Sequence, residues 1–123
     1  GGGPVALPAG LIAAGETTVT VKGRGKGGRC QEFALAAALD MDGLDGIVVL
    51  AAGTDGTDGP TDAAGALADG QSAARATAQG GDPRARLEDN DSHAIFAGLG
   101  DLVVTGPTNT NLLDLYLILV TGA

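Results

Sequence analysis

Three polar stretches of the 123-residue chain carry residue types and spacings suited to an anionic ligand. Gly53 to Ala66 reads GTDGTDGPTDAAGA, so Asp55, Asp58 and Asp62 stand three and four residues apart among glycines that permit tight turns. Carboxylates at this spacing are able to bind a hydrated Mg2+ or take a proton. The same aspartates also fit a long exposed turn whose acids are simply solvated. Lys22 to Arg29 gathers four of the seven basic residues, Lys22, Arg24, Lys26 and Arg29, in a glycine-rich stretch just ahead of a helical pattern. Amides such as those of Gly27 and Gly28, with cations beside a helix start, favour phosphate or carboxylate. Arg29 is the best-placed clamp there, because its planar fork holds two oxygens. A flexible basic loop without a fixed ligand is the alternative. Finally, Thr105 to Asn111, TGPTNTN, offers hydroxyls, amides and backbone donors suited to an oxyanion or a polyol without adding charge.

Other patterns carry less. Gly23, Gly25 and Gly28 formally satisfy G-x-G-x-x-G, but cations lie in and beside the loop and no acidic residue ends a second strand at the required distance. The G-K-[ST] ending of a P-loop is missing as well. His93 has no Ser, Cys or acidic partner at a telling spacing, so it reads as a surface or packing residue. His93 and Cys30 form no metal-ligand spacing, and metal ligands stay unassigned.

The elements that must hold these loops alternate between apolar runs and helical patterns. Leu11 to Ala14 predicts a short buried strand, Gly15-Glu16 a sharp break, and Thr17 to Val21 an alternating β-branched strand. Such a turn places Glu16 at a strand junction; an exposed hairpin acid is its plainer reading. Cys30 to Leu39 predicts a strong helix, and Ile47 to Ala51 a buried strand entering the acidic loop. Thr61 to Ala68 and Ser72 to Gln79 predict helices separated by Asp69-Gly70, with Asp62 placed to cap the first. Pro83 opens a short helix through Leu87, and Asn90 or Asp91 caps another at His93 to Phe96. Leu102 to Val104 and Leu112 to Val120 predict strands. This alternation predicts an α/β layered fold with a mixed sheet of about four to five strands flanked by helices. Ligands in such folds collect beyond strand ends, so the three loops are expected to share one edge.

Composition bounds the rest. Residues 1–10 read as a linker or remnant and 11–123 as one domain with one core. With 44% hydrophobic residues the chain is globular, but its only aromatics are Phe33, Phe96 and Tyr116, so small aliphatic side chains must fill the core. The net charge of −8 argues against non-specific binding to nucleic acid or to an anionic membrane. A single cysteine excludes an internal disulfide and, with no membrane-length apolar run or signal pattern, predicts a cytoplasmic protein.

Several motifs together resemble a known family. Gly15-Glu-Thr-Thr-Val-Thr-Val21, GKGGRCQEFALA from Gly25, GTDGTDGPTDAAGA from Gly53, Asn90-Asp-Ser92 and Thr105-Gly-Pro-Thr108 resemble, in the same order, the C-terminal MOFRL piece of the glycerate 2-kinase family. Members also go under the name hydroxypyruvate reductase. The resemblance covers nearly the whole chain from about Leu11. It implies an ATP-dependent kinase that makes 2-phosphoglycerate from glycerate with Mg2+, in a cleft between this domain and a larger N-terminal kinase domain. It implies that Arg29 contacts substrate or the transferring phosphate, and that Asp55 is the first substrate or metal contact. Gln31 and Glu32 fall beside Arg29, Asp58 belongs to the acidic motif, and Asn90, Thr105, Thr108 and Asn111 would line the same cleft. Glu16 joins this substrate-binding set, and Gly27 and Gly28 the phosphate-binding one.

The chain departs from the family at Ala14, Cys30 and Asn109, where Gly, Asn and Gly are usual. The N-terminal domain, with much of the nucleotide site and a catalytic lysine, is missing, which implies that the chain alone does not phosphorylate glycerate. Two alternatives stand beside this reading. One is a free-standing binder of a phosphate or sugar-acid ligand; the other is a structural assembly domain forming a homo-oligomer. Reductase activity is the weakest reading, because no nicotinamide fingerprint is complete.

Overall fold

The computed structural model describes residues 9–15, 27–54, 56, 58, 61–106 and 114–120. Glu16, Asp55, Thr108 and Asn111, the expected strand over 17–21 and most of the basic stretch lie outside the described residues. The elements run β1 (Ala9–Gly15), α1 (Arg29–Asp40), β2 (Ile47–Gly53), β3 (Gly65–Asp69), α2 (Ser72–Ala78), α3 (Pro83–Glu88), α4 (Ser92–Leu99), β4 (Leu102–Val103) and β5 (Asp114–Val120).

The α/β layered fold expected from the sequence is present, with five strands in the order β1-β5-β2-β3-β4. The sheet differs from expectation in one respect: every described pairing is antiparallel, where a mixed sheet is predicted. The reason is topological. The β1–α1–β2 passage does make β1 and β2 parallel to each other, but the last strand, β5, inserts between them and pairs antiparallel with both.

Residues 61–68 also depart from prediction. Their alanine-rich pattern predicts a helix, yet Gly65–Asp69 form β3, paired to β2 on one side and β4 on the other. Alanine's helix preference is worth less than about 1 kcal/mol per residue over most others, so ladder bonds and burial on the sheet decide. Alanine is what the site requires, because α1 lies directly over this strand pair. Val49 and Ala51 of β2, Ala66 and Ala68 of β3 and Tyr116 of β5 form the inner face, against Ala34, Leu35 and Ala38 of α1. Ile95, Phe96 and Leu99 of α4, with Met41 and Ala76, complete the core. Small residues on both surfaces allow the helix to approach closely and keep density high without large side chains.

The strand register places the loops. Gly15, Gly53 and Asp114 share one register row, Ala52 pairs with Gly65, and Gly65 with Val103. The exits of β1, β2 and β4 and the entries of β3 and β5 therefore lie along one sheet edge, the edge from which the acidic loop and residues 104–106 leave. Among the described residues Phe96 is the largest wholly buried side chain, and it belongs to the core cluster that helices and strands share. Phe96→Ala is expected to cost about 3–5 kcal/mol in urea-unfolding stability, with the slope of the transition unchanged.

Candidate functional site at the start of α1

The helix α1 begins without help from its own cap residue. Gly28 occupies the cap position with extended backbone and no side chain. The capping group comes instead from the acidic loop. Cys30 N donates to Asp58 Oδ1 at 2.9 Å and Gln31 N donates to Asp58 Oδ2 at 2.8 Å. These are the second and third helical amides, the ones that a side chain at the cap itself would satisfy. Asp58 is 1% exposed. A buried carboxylate is stable there because it accepts two charge-assisted bonds and faces the positive end of a 12-residue helix.

Glycine at position 28 follows from this arrangement. A Cβ built there would stand under 3.0 Å from the Asp58 backbone carbon and carboxylate. Gly27 is equally confined: its Cβ would collide with Ser92 Oγ, and the Asn90 carbonyl lies close by. The two glycines are the points where the acidic loop and the α3–α4 turn close onto the helix start.

Side chains lock the same junction. Thr61 Oγ1 donates to the Asp58 carbonyl at 2.7 Å and accepts from Gln31 Nε2 at 2.9 Å. Asp58 and Thr61 also form a two-residue β-bridge, which fixes both ends of that tight turn. Asn90 Nδ2 donates to Glu32 Oε1 at 2.5 Å, tying the α3–α4 turn to α1. Asn90 holds a left-handed backbone, φ 56°, which asparagine tolerates better than most residues. Arg86 braces this turn through a 2.6 Å bond to Asp91.

The structure thus brings Gly27, Gly28, Arg29, Gln31, Glu32, Asp58 and Asn90 together at one end of α1. Arg29 is the first helical residue and is half-buried. Thr105 follows β4 at the same sheet edge, but its hydroxyl donates to the Gly106 carbonyl at 3.0 Å rather than to this cluster. A groove lined by Leu39, Thr77, Pro83 and Arg84 lies at the far end of α1 and contains none of the expected site residues.

Three residues lie at this junction that the sequence reading did not count among the site residues. Thr61 is the hub of the loop contacts. Ser92 is wholly buried against Gly27, and its Oγ has no partner among the described residues. His93, which shows no acidic partner at a telling sequence spacing, has a carboxylate near it in space: its Nε2 lies 3.6 Å from Asp62 Oδ1, beyond hydrogen-bond distance. Asp62 is therefore no helix cap, since a strand follows it; it is exposed at the rim, beside the imidazole. The signal that was available is that all three fall inside or beside the motif runs 53–66 and 90–92.

Residues 9–114 match the family model described as MOFRL family. The chain belongs to the MOFRL family. This MOFRL domain is 51% identical over 117 residues to the D-glycerate 2-kinase of Thermotoga maritima, covering 95% of this chain and 28% of that protein. It is 48% identical over 119 residues to an Agrobacterium vitis protein provisionally named hydroxypyruvate reductase, covering 95% and 27%. The crystal structure of a Thermotoga maritima glycerate kinase superposes with a TM-score of 0.92 at 51% identity, over 96% of this chain and 28% of that one. The MOFRL domain thus spans little more than a quarter of the length of these relatives and corresponds to the C-terminal region of glycerate 2-kinases.

Removing the Asp58 carboxylate strands two buried amides. Asp58→Ala is expected to lower unfolding stability by about 3–6 kcal/mol, from about 1.5–3 kcal/mol for each of its two hydrogen bonds to a charged group. Gly28→Ala breaks the same contact from the other side. In a double-mutant cycle by urea unfolding, the pair should therefore cost clearly less than the sum of the two single changes.

Proposed function

We propose that this MOFRL domain supplies the substrate and phosphate half-site of an ATP-dependent glycerate kinase, which converts glycerate to 2-phosphoglycerate once joined to the remainder of a full-length chain. The observation that carries this reading is the convergence of Gly27-Gly28-Arg29, of Asp58 and Thr61, and of Asn90 to Ser92 on one helix start. The similarity to glycerate kinases supports it.

In the reaction a glycerate hydroxyl oxygen attacks the terminal phosphorus of ATP, the bond to ADP breaks, and the hydroxyl proton passes to a base. Such transfers depend mainly on alignment and on charge stabilisation, with little covalent work for the protein. Arg29 fits that demand. Its guanidinium offers a bidentate grip for the glycerate carboxylate or the transferring phosphoryl, at the end of the helix where anions are favoured. The amides of Gly27 and Gly28 add short-range donors. Gln31 Oε1 and Ser92 Oγ are buried polar atoms with no partner among the described residues, and a ligand hydroxyl or an ordered water would satisfy them. Asp55 and Glu16 remain candidates through the family resemblance, as do Thr108 and Asn111; Thr105 joins them from the same sheet edge.

ATP and Mg2+ belong to the complete enzyme in this reading. Among the described residues no three ligating side chains gather, and the Asp58 carboxylate already accepts two amides. Mg2+ is commonly held by one or two carboxylates together with the substrate's own phosphates. Asp62, exposed at this edge, and Asp55 are the residues to hold it, and it would neutralise charge on the phosphates. The domain alone is expected to turn over no glycerate.

The test is a thermal melt of the domain with D-glycerate, MgATP or 2-phosphoglycerate, comparing the natural sequence with Arg29→Ala. A ligand present at a hundredfold excess over its dissociation constant stabilises the folded state by about 2.7 kcal/mol. Glycerate or its phosphate should raise the midpoint, and Arg29→Ala should abolish the rise. No rise with any of the three, or a rise indifferent to Arg29, would remove the half-site from this domain.

A further inference from the structure

The strands of this domain are apolar on both faces, which an antiparallel sheet with one wet face would not be. Such sheets usually alternate apolar and polar residues, whereas near-continuous apolar strands are a mark of burial on both sides. Here β2 reads Ile-Val-Val-Leu-Ala-Ala and β5 reads Leu-Tyr-Leu-Ile-Leu-Val from Leu115. The register sorts them into two faces. Val49, Ala51, Ala66, Ala68 and Tyr116 lie under α1, and the four helices pack with one another on that side. The opposite face carries Val48, Leu50, Leu67, Leu117 and Leu119, with Leu50 in register with both Leu67 and Leu117, and Val48 with Leu119. Val48, Leu67 and Leu119 are 38%, 41% and 36% exposed. Among the described residues in register there the charged one is Asp69, at the end of β3, and its carboxylate accepts from the Gln71 amide at 2.8 Å.

We propose that this second sheet face is the seat of the N-terminal part of a glycerate-kinase-length chain. Naming that occupant rests on the function proposed above; the need for a cover does not. Two observations select the occupant. The relatives devote only 27–28% of their length to this region, so a far larger body is attached to it in each of them. A second copy is disfavoured, since it would bring two chains of net charge −8 against each other. The face itself has the apolar, charge-poor centre of a permanent interface rather than a transient one. Its border is also well placed. The edge where Gly53, Gly65 and Asp114 end the strands is the edge that carries the start of α1, so a body seated on the face stands beside the candidate site.

The experiment uses two proteins. One is the 123-residue chain; the other is the Thermotoga maritima D-glycerate 2-kinase with its matching C-terminal segment replaced by this chain. Each is melted as the natural sequence, as Leu67→Asp and as Leu119→Asp, with sedimentation of the short chain and glycerate phosphorylation by the fusion as companion readouts. In the short chain both substitutions are expected to move the midpoint by no more than about 3 °C, the scale of a surface change. In the fusion each should lower it by at least twice as much. A fusion indifferent to both substitutions overturns the proposal, as does one that fails to melt as a cooperative unit. A stable dimer of the short chain that Leu67→Asp dissociates overturns it in favour of a second copy. A fusion that passes these tests but phosphorylates no glycerate counts against the proposed kinase role and leaves the docking face standing.

Discussion

The placement of one carboxylate determines much of this domain. Asp58 is buried at the start of α1, and a charge removed from water must be matched where it lies. Two backbone amides and the helix's positive end provide that match. Everything near it follows as a geometric consequence. Position 28 must lack a Cβ so that the carboxylate can reach the amides. The chain must turn back within three residues so that Thr61 can hold the Asp58 carbonyl and receive the Gln31 amide. The loop between β2 and β3 is thereby fastened to a helix more than 25 residues earlier in sequence.

This arrangement gives the aspartates of one motif unequal roles. The amides of Cys30 and Gln31 accept no outside anion while Asp58 holds them, so any anion at this end must be gripped by other groups. Arg29, the Gly27 and Gly28 backbone and the rim residues are what the described structure offers. Asp62 is placed oppositely to Asp58, exposed and beside His93. Asp58 therefore positions the helix that presents Arg29, and Asp62 remains accessible. Glu32 and Asn90 perform a related task on the other flank, joining the α3–α4 turn to the same helix.

Much of this organisation was legible in the sequence, for definable reasons. The helix at 29–40 and the strands at 47–53 and 114–120 have strong local patterns, and their apolar runs set the layer order. That the acidic loop and the residues after β4 leave the same sheet edge followed from each coming after a strand. What escaped were facts carried by non-local contacts. Thr54-Asp55-Gly56 and Thr57-Asp58-Gly59 are the same tripeptide twice, so nothing local distinguishes the buried aspartate from its neighbour. The Asp62–His93 approach joins residues 31 positions apart. Gly65–Asp69 has a composition that favours helix, and only its two strand partners make it β3. The antiparallel character of the sheet depends on β5 returning between β1 and β2, which a reading in chain order does not anticipate.

The packing also explains the unusual composition. A core whose helix and strands meet through alanines is thin, and each small side chain removes little apolar surface from water. Phe96 is wholly buried in the shared core, while Phe33 and Tyr116 meet with ring centres 4.6 Å apart and planes tilted by 51°. One face of the sheet accounts for these residues. The leucines and valines that make the strands continuous apolar runs are mostly on the other face, which the described helices do not cover. Their presence is a cost in an isolated domain, because apolar side chains there gain nothing from remaining in water. Under the docking proposed above, the same residues would form a second core in a chain some three to four times longer, the length of these relatives, and the small alanine-built layer would need only enough stability to hold Asp58 and the start of α1 in place.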